Sequence, residues 1–144
     1  MRRLTGALVL ALAFGVSGCE DLADPDSPRT TYTLSAVNGE PLPAIMFEGD
    51  TEFGHVVATA QSGILTLRET TYSERMIVDL VVDGAAFPGD EIVSSGSYSI
   101  DGQLLTFDPD QAGRPTFTGT LQGGVLEIVE HDPDFGDLAL TWEQ

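Results

Sequence analysis

The chain has 144 residues, of which 23 are acidic and six are basic, and its formal charge is −17. So negative a surface repels phosphate backbones and anionic lipid head groups, which argues against nucleic acid as a partner and against electrostatic adhesion to membranes. The length suits one domain rather than two, and the single cysteine cannot form an intrachain disulfide.

Residues 1–18 have the three parts of a secretory signal peptide. Arg2 and Arg3 give a positive start, residues 4–14 an apolar run and residues 15–18 a small-residue end. The apolar run is shorter than the ~20 residues that a membrane-spanning helix needs. We therefore expect residues 1–18 to be removed and the rest to be exported, with four arginines against 23 acidic residues and a formal charge of −19.

The segment Val16-Ser17-Gly18-Cys19 resembles the lipobox of bacterial lipoproteins, whose cysteine is lipidated and becomes the first residue after cleavage. The resemblance implies that Cys19 carries lipid, holds the protein at a bacterial membrane without a spanning helix and is not available for thiol chemistry. In enteric bacteria an Asp directly after the lipidated cysteine resembles an inner-membrane retention signal, and this chain has Glu20 at that position. We therefore expect an outer-membrane lipoprotein facing the periplasm.

The chain after the cysteine divides into a tether and one domain. Residues 19–29 are acidic, contain two prolines and lack apolar periodicity, so they predict a lipidated cysteine followed by a flexible tether. Residues 30–144 predict a single β domain. Its first strand is indicated by the alternation of Tyr32, Leu34 and Ala36 with polar residues.

Short strands and turns fill the rest of the domain. A turn is predicted at residues 38–39, and loops are predicted at 49–54 and 84–90. The further strands are predicted at residues 44–47, 55–60, 63–68, 72–83, 92–100, 103–108, 117–122, 125–131 and 138–142.

Two hairpins can be given a register from their turn residues. Asp101-Gly102 favours a two-residue type I′ turn, which would place Tyr98 opposite Leu105. Gly123-Gly124 in the same way would place Leu121 opposite Leu126. In both hairpins the apolar residues then share one face, as a strand with one buried side requires.

Eight to ten short strands without a long helical period predict an all-β fold. Strands that follow one another in antiparallel order and each have one apolar face are best accommodated by an up-and-down meander closed into a barrel, because closure removes exposed edges. A two-sheet β-sandwich is the alternative.

The domain resembles the lipocalin-like domains of bacterial lipoproteins. The resemblance lies in residues 32–34 (YTL), 37–43 (VNGEPLP), 63–67 (GILTL) and 96–98 (GSY), and in the closing strand. It implies a lipocalin-like barrel, which can be filled by its side chains or hollow enough for one small molecule.

Several residues of the predicted inward face are candidates for lining a ligand. The aromatic candidates could contact an apolar molecule, and the glycines either leave room for it or act as kink points that let the strands coil. These candidates are Tyr98, Phe107, Phe117, Trp142, Gly96 and Gly119. Glu74 interrupts an apolar face: we expect a strand-end carboxylate that reaches solvent, or alternatively an inward one that fixes a ligand's polar end.

The sequence contains no recognisable catalytic constellation. His55 and His131 are far apart, and neither a nucleophile elbow nor a glycine-rich phosphate loop is present. Residues 131–137 combine His, Asp and Gly, but their spacing does not fit a calcium loop and favours a polar turn. We expect no enzyme activity, no cofactor and no metal.

These observations leave two hypotheses for function. The first is a membrane-tethered, non-catalytic binding module with a small apolar ligand inside the barrel. The second is an interaction protein, an inhibitor or scaffold, that docks an envelope protein through its acidic surface. In either case we expect a monomer attached to the membrane through the lipid on Cys19.

Overall fold

The structure is a computed structural model that describes residues 29–132 and 136–144. The predicted signal peptide, Cys19 and the tether up to residue 28 lie outside the described residues. The described part contains ten strands and no helix. The strands are β1 (Arg29–Val37), β2 (Glu40–Pro41), β3 (Ala44–Thr51), β4 (Gly54–Arg68), β5 (Thr71–Val82), β6 (Ala85–Asp101), β7 (Leu104–Pro109), β8 (Phe117–Gln122), β9 (Val125–Asp132) and β10 (Gly136–Glu143).

The strands form a closed antiparallel barrel. From β4 to β10 each strand pairs with the next in the chain, and β1 pairs with both β10 and β4. These pairings close a ring of eight strands, while β2 and β3 lie at the edges. The prediction of an all-β, lipocalin-like meander closed into a barrel is confirmed, and the sandwich is excluded.

The strands β4, β5 and β6 are longer than the barrel and extend beyond it. The pairing of β4 with β1 extends from Arg68 back to Ile64, which faces Thr33. The part of β4 that precedes it in the chain pairs with β3 instead, from Ala44↔Ala60 to Thr51↔Gly54. The first parts of β4 and β6 and the last part of β5 therefore join β3 in a four-stranded sheet. We call this sheet, residues 44–60 and 77–92, the overhang.

The overhang corrects two sequence predictions. Residues 49–51 and 85–90, expected in loops, continue strands β3 and β6. The strands expected at 55–60 and 63–68 form one strand, because a bulge between Ala60 and Ser62 carries the pairing past the interruption. A bulge absorbs one extra residue without ending a strand, so polar residues there were misread as a break.

One predicted hairpin register is confirmed and the other is wrong. Leu121 does face Leu126. In the β6–β7 hairpin, however, Tyr98 faces Phe107, and the turn residues are Gly102 and Gln103. Gly102 has φ 63° and occupies the first central position, as in a type II′ turn. The displacement by two residues keeps every side chain on its face, so the apolar pattern could not distinguish the two registers.

The inward side chains form a dense core within the barrel. Trp142, Phe107, Leu105 and Leu126 have no solvent exposure. Burying an apolar side chain of this size contributes about 1.5–3 kcal/mol relative to leaving it in water. The buried core also includes residues of β1, β4 and β5, so it connects strands across the barrel.

The two ends of the barrel differ. At one end Arg29 begins β1 beside Arg68, next to the tight turns that join β4 to β5, β6 to β7 and β8 to β9. The overhang lies at the other end: Ala58 precedes Arg68 by ten residues on β4, about 33 Å along a strand. The described chain therefore begins at the end opposite the overhang. We call the inner face of the overhang the mouth of the barrel.

Candidate functional site

Three of the predicted ligand-lining aromatics form one cluster inside the barrel. Phe107 stacks on Phe117 with 4.8 Å between ring centroids, and Tyr98 stacks on Phe107 at 6.1 Å. Tyr72 completes the cluster in a T-shaped contact with Phe107, with 5.2 Å between ring centroids. These separations are those of rings in contact. The aromatic side chains thus contact one another at this level of the barrel.

Trp142 lies against β4 rather than in this cluster. Its ring reaches Gly63, where an added Cβ would lie 3.1 Å from the Trp142 Cη2 atom and 3.0 Å from Leu34 Cβ. Gly63 therefore provides the surface on which the indole packs. The indole Nε1 is buried and has no hydrogen-bond partner among the described residues.

At Gly96 and Gly119, atoms of a neighbouring strand lie close to the glycine backbone. A Cβ on Gly96 would collide with the backbone carbonyl oxygen of Asp108, and one on Gly119 would lie 3.0 Å from side-chain atoms of Ile128 and Leu126. Neighbouring atoms therefore occupy the space that each missing side chain leaves. This geometry matches the use of glycine for close backbone approach.

Glu74 lies inside the barrel, and the expectation of a solvent-reaching strand-end carboxylate is wrong. The residue is 4% exposed and sits between the inward residues Tyr72 and Met76 of β5. Strand alternation places it on the apolar side, and its side chain is too short to reach water from there. Its Oε1 atom has no hydrogen-bond partner among the described residues.

Burial changes the protonation of Glu74. Desolvation, followed by the negative charge of Glu130, raises its pKa from 4.5 to about 8, although the positive charge of Arg114 opposes the shift. A carboxyl with this pKa holds its proton at neutral pH and is then able to donate a hydrogen bond.

Arg114 brings a positive charge to the buried acids from the loop between β7 and β8. Its Nη2 atom donates to Oε2 of Glu130 at 3.3 Å, and its Nη1 atom donates to the side-chain oxygen of Gln111. Gln111 in turn donates to the carbonyl oxygen of Val93 at 2.7 Å. The loop is thus fastened to β6 on one side and to Glu130 of β9 on the other.

The Tyr72 hydroxyl and the Ser94 hydroxyl share a buried hydrogen bond of 3.2 Å. Burial raises the pKa of Tyr72, and the bond to Ser94 partly offsets that increase. Ser94 faces Glu74 across the β5–β6 pair. The buried residues Tyr72, Ser94, Glu74 and Glu130 therefore form a polar cluster with the partly exposed Arg114, and this cluster can hold a proton on Glu74.

An apolar cavity lies on the inner face of the overhang, outside the aromatic cluster. It has a volume of about 220 Å³ and is lined by Met46, Ala58, Val78, Leu80, Asp90 and Ile92. We call these six residues the mouth groove. Asp90 supplies its one charged side chain. Phe87 faces Leu80 across β5 and β6 and is 55% exposed, so it adds an aromatic ring beside the groove.

The two histidines each contact acidic neighbours at the surface. His55 Nδ1 lies 3.1 Å from Asp50 Oδ1, and His131 Nδ1 lies 2.6 Å from Asp137 Oδ1. Within residues 29–132 and 136–144 no group of three His, Cys, Asp or Glu side chains is arranged to hold a metal ion. Part of the polar segment 131–137, residues 133–135, lies outside the described residues.

The sequence interpretation missed the partners of Glu74 and the mouth groove. The alternation of Leu126, Ile128 and Glu130 on β9 places Glu130 on the inward face, a signal of the same kind as the one that drew attention to Glu74. Arg114 lies in a loop, and its approach to Glu130 has no local sequence signal. The groove depends on β6 extending through residues that were read as a loop.

Comparison with known proteins gives no relative for this chain. A scan against protein-family models, a search of curated proteins and a search of solved structures each found no match. In the described part of the chain, no helix is both long and apolar enough to span a membrane.

Proposed function

We propose that this protein is a non-catalytic binding module held at a bacterial membrane by lipid on Cys19, and that it binds a small apolar molecule at the mouth groove. The observation that carries the proposal is the cavity of about 220 Å³ on the inner face of the overhang, whose five apolar lining residues include the buried Met46, Ala58 and Val78. Concave apolar surfaces with few polar groups are the usual sites of small-molecule binding.

Packing favours the mouth groove over the barrel axis for this ligand. The rings of Phe107 and Phe117 stack directly, and atoms of Leu126 and Ile128 approach Gly119, so a molecule at the axis would have to displace core side chains. The mouth groove already has open volume, and Phe87 beside it is half exposed. Ligand pockets usually measure about 300–1,000 Å³, so a larger ligand would be only partly covered here.

A neutral apolar dye tests the binding site. Nile red should gain fluorescence with residues 20–144, which contain the closed barrel and its core but no lipid into which the dye could partition. Leu80→Glu, which places a charge in the mouth groove, should abolish the gain. Leu104→Glu alters a half-exposed leucine at the turn end and is the matched control. Equal fluorescence for Leu80→Glu and the unaltered protein would refute the groove as the site.

The membrane attachment rests on Val16-Ser17-Gly18-Cys19. The lipid on Cys19 would anchor the domain through the tether, and because β1 begins at the end opposite the overhang, the mouth would point away from the membrane. Mass spectrometry of the mature protein should find an acylated N-terminal Cys19, and membrane fractionation should place it in the outer membrane. An unmodified peptide spanning Gly18 and Cys19 would refute the anchor.

A second candidate function is docking of an envelope protein, as an inhibitor or scaffold. The observation that favours it is the charge of the overhang, which has seven acidic residues and neither lysine nor arginine. Complementary charge accelerates association with a basic partner and is screened by salt. Affinity capture from envelope extracts at low and moderate salt tests it, and recovery of no partner at either concentration would count against it.

A further inference from the structure

We propose that the mouth groove and the free edge of β6 beside it accept a basic amphipathic polypeptide segment, whose apolar side chains enter the groove. This inference rests on the proposed binding role of the groove and names a polypeptide as its occupant. It joins three features of the overhang: an apolar groove that is only partly exposed, a strand edge without a strand partner in the described part of the chain, and a one-sided charge.

Part of the apolar surface on the inner face of the overhang is exposed. Leu80 and Phe87 face each other across β5 and β6 on the side that lines the groove, and Phe87 remains 55% exposed. Aromatic side chains left exposed beside a groove are the residue types that anchor protein interfaces when a partner covers them.

A strand edge borders this face. β6 pairs with β7 only from Gly96 onward, whereas its pairing with β5 continues to Ala85. Within residues 29–132 and 136–144, the side of β6 away from β5 therefore has no strand partner over residues 85–92. Pro88 has no N–H, and the N–H groups of Gly89 and Glu91 already donate to Asp79 Oδ1 and Asp90 Oδ1. An added strand would therefore pair through the other backbone groups of this edge, and its alternate side chains would enter the adjoining groove.

The charge of the overhang selects a basic partner. Its acidic residues are Glu48, Asp50, Glu52, Asp79, Asp83, Asp90 and Glu91. Arg75, just below the overhang, pairs with Glu91 at 2.8 Å, which leaves six acidic residues without an arginine or lysine in the same sheet. Asp90 lies within the mouth groove itself, where a lysine or arginine flanking the apolar contacts would meet it.

The same charge disfavours the other occupants. Two overhangs facing each other would bring together like charges, so a second copy of this chain is repelled. Anionic lipid and nucleic acid are repelled for the same reason. The tether is acidic and joins the domain at Arg29, which starts β1 at the opposite end, about 33 Å along the strands from Ala58, so it is disfavoured by both charge and distance.

A model peptide of alternating leucine and lysine, about eight residues long to match the free edge, provides the test. Its binding to residues 20–144 is measured by fluorescence anisotropy at low salt and at about 0.3 M salt. We expect binding that weakens with salt and is absent for the matching leucine–glutamate peptide. Nile red binding is measured in parallel on the same preparation.

Two variants and two controls locate the contact. Phe87→Ser should weaken peptide binding about tenfold, and Asp90→Asn about threefold. Ile100→Ser alters an equally exposed apolar residue at the turn end, and Asp101→Asn an exposed acid beside it; neither should change binding. Circular dichroism checks that all four proteins remain folded.

Other results of these measurements would overturn the proposal of a polypeptide occupant. Nile red binding without leucine–lysine binding would overturn the polypeptide occupant and leave the proposed binding module standing. Loss of both would overturn both. Equal binding of the two peptides, or equal weakening by Ile100→Ser and Phe87→Ser, would show non-specific attraction and would also overturn this inference.

Discussion

Glu74 and Glu130 point into the barrel from opposite sides, because β5 and β9 are four strands apart in a ring of eight. Their interaction helps raise the pKa of Glu74 to about 8. Two buried carboxylates with one arginine cannot both be ionised without an uncompensated charge, so the proton on Glu74 becomes part of the folded structure.

Stability should fall as pH rises, and Glu74 should be the cause. Its pKa in the folded protein lies above the ordinary 4.5, so its contribution is fully present below pH 4.5 and is lost as pH rises toward about 8. The loss is on the order of 2–4 kcal/mol. Urea denaturation at pH 5 and pH 8 should show it for the unaltered protein and a much smaller change for Glu74→Gln.

Glu127→Gln provides the control for Glu74→Gln. Glu127 lies on β9 and is exposed, so removing its charge should leave the difference between pH 5 and pH 8 as it is in the unaltered protein. If Glu74→Gln retained the full pH dependence, the assignment of the buried proton to Glu74 would be wrong.

Arg114 should stabilise the folded protein through Glu130. Arg114→Met leaves a buried carboxylate without its cation, and since Arg114 is itself partly exposed we expect a loss of about 1–2 kcal/mol at pH 7. Adding Glu130→Gln should recover part of that loss. A double-mutant cycle by urea denaturation measures the coupling, and strictly additive effects would disprove it.

Gly96 and Gly119 should differ in their tolerance of alanine. At Gly96 the obstacle is the backbone oxygen of Asp108, which cannot move without disturbing the β6–β7 pairing. At Gly119 the nearest atoms belong to the side chains of Ile128 and Leu126, which can shift, and the Glu127 carbonyl oxygen is 3.2 Å away, so the backbone is less crowded than at Gly96. We expect a loss of about 3 kcal/mol for Gly96→Ala and about 1 kcal/mol for Gly119→Ala. Thermal denaturation ranks them, and the reverse order would contradict this packing.

Local patterns were sufficient to predict the barrel but not the overhang. The alternation around Tyr32, and Gly123-Gly124 between two apolar runs, led to the correct strand and hairpin because neighbours in sequence determine them. The overhang arises because β4 changes partner from β1 to β3. Which strand supplies the next pairing depends on the tilt of the closed barrel, a property of the whole chain.

The candidate site was predictable in part for the same reason. Phe107 and Phe117 were placed inward by strand alternation, and the structure brings them into contact. Glu74 was singled out, but its burial depended on Glu130 and Arg114, which are distant in sequence. Charged residues that meet inside a barrel have no fixed spacing in the sequence. A local pattern can therefore place a single residue such as Glu74 inward, but it cannot show which other charged residues will lie beside it.

The central claim is that binding occurs at the mouth groove rather than at the barrel axis, and methyl NMR tests it most directly. On titration of residues 20–144 with 1-octanol, we predict shifts of the methyl signals of Ala58, Leu80 and Ile92. The signals of Leu105 and Leu126, which have no solvent exposure, should stay unchanged. Shifts confined to Leu105 and Leu126 would contradict the account and place the ligand inside the barrel.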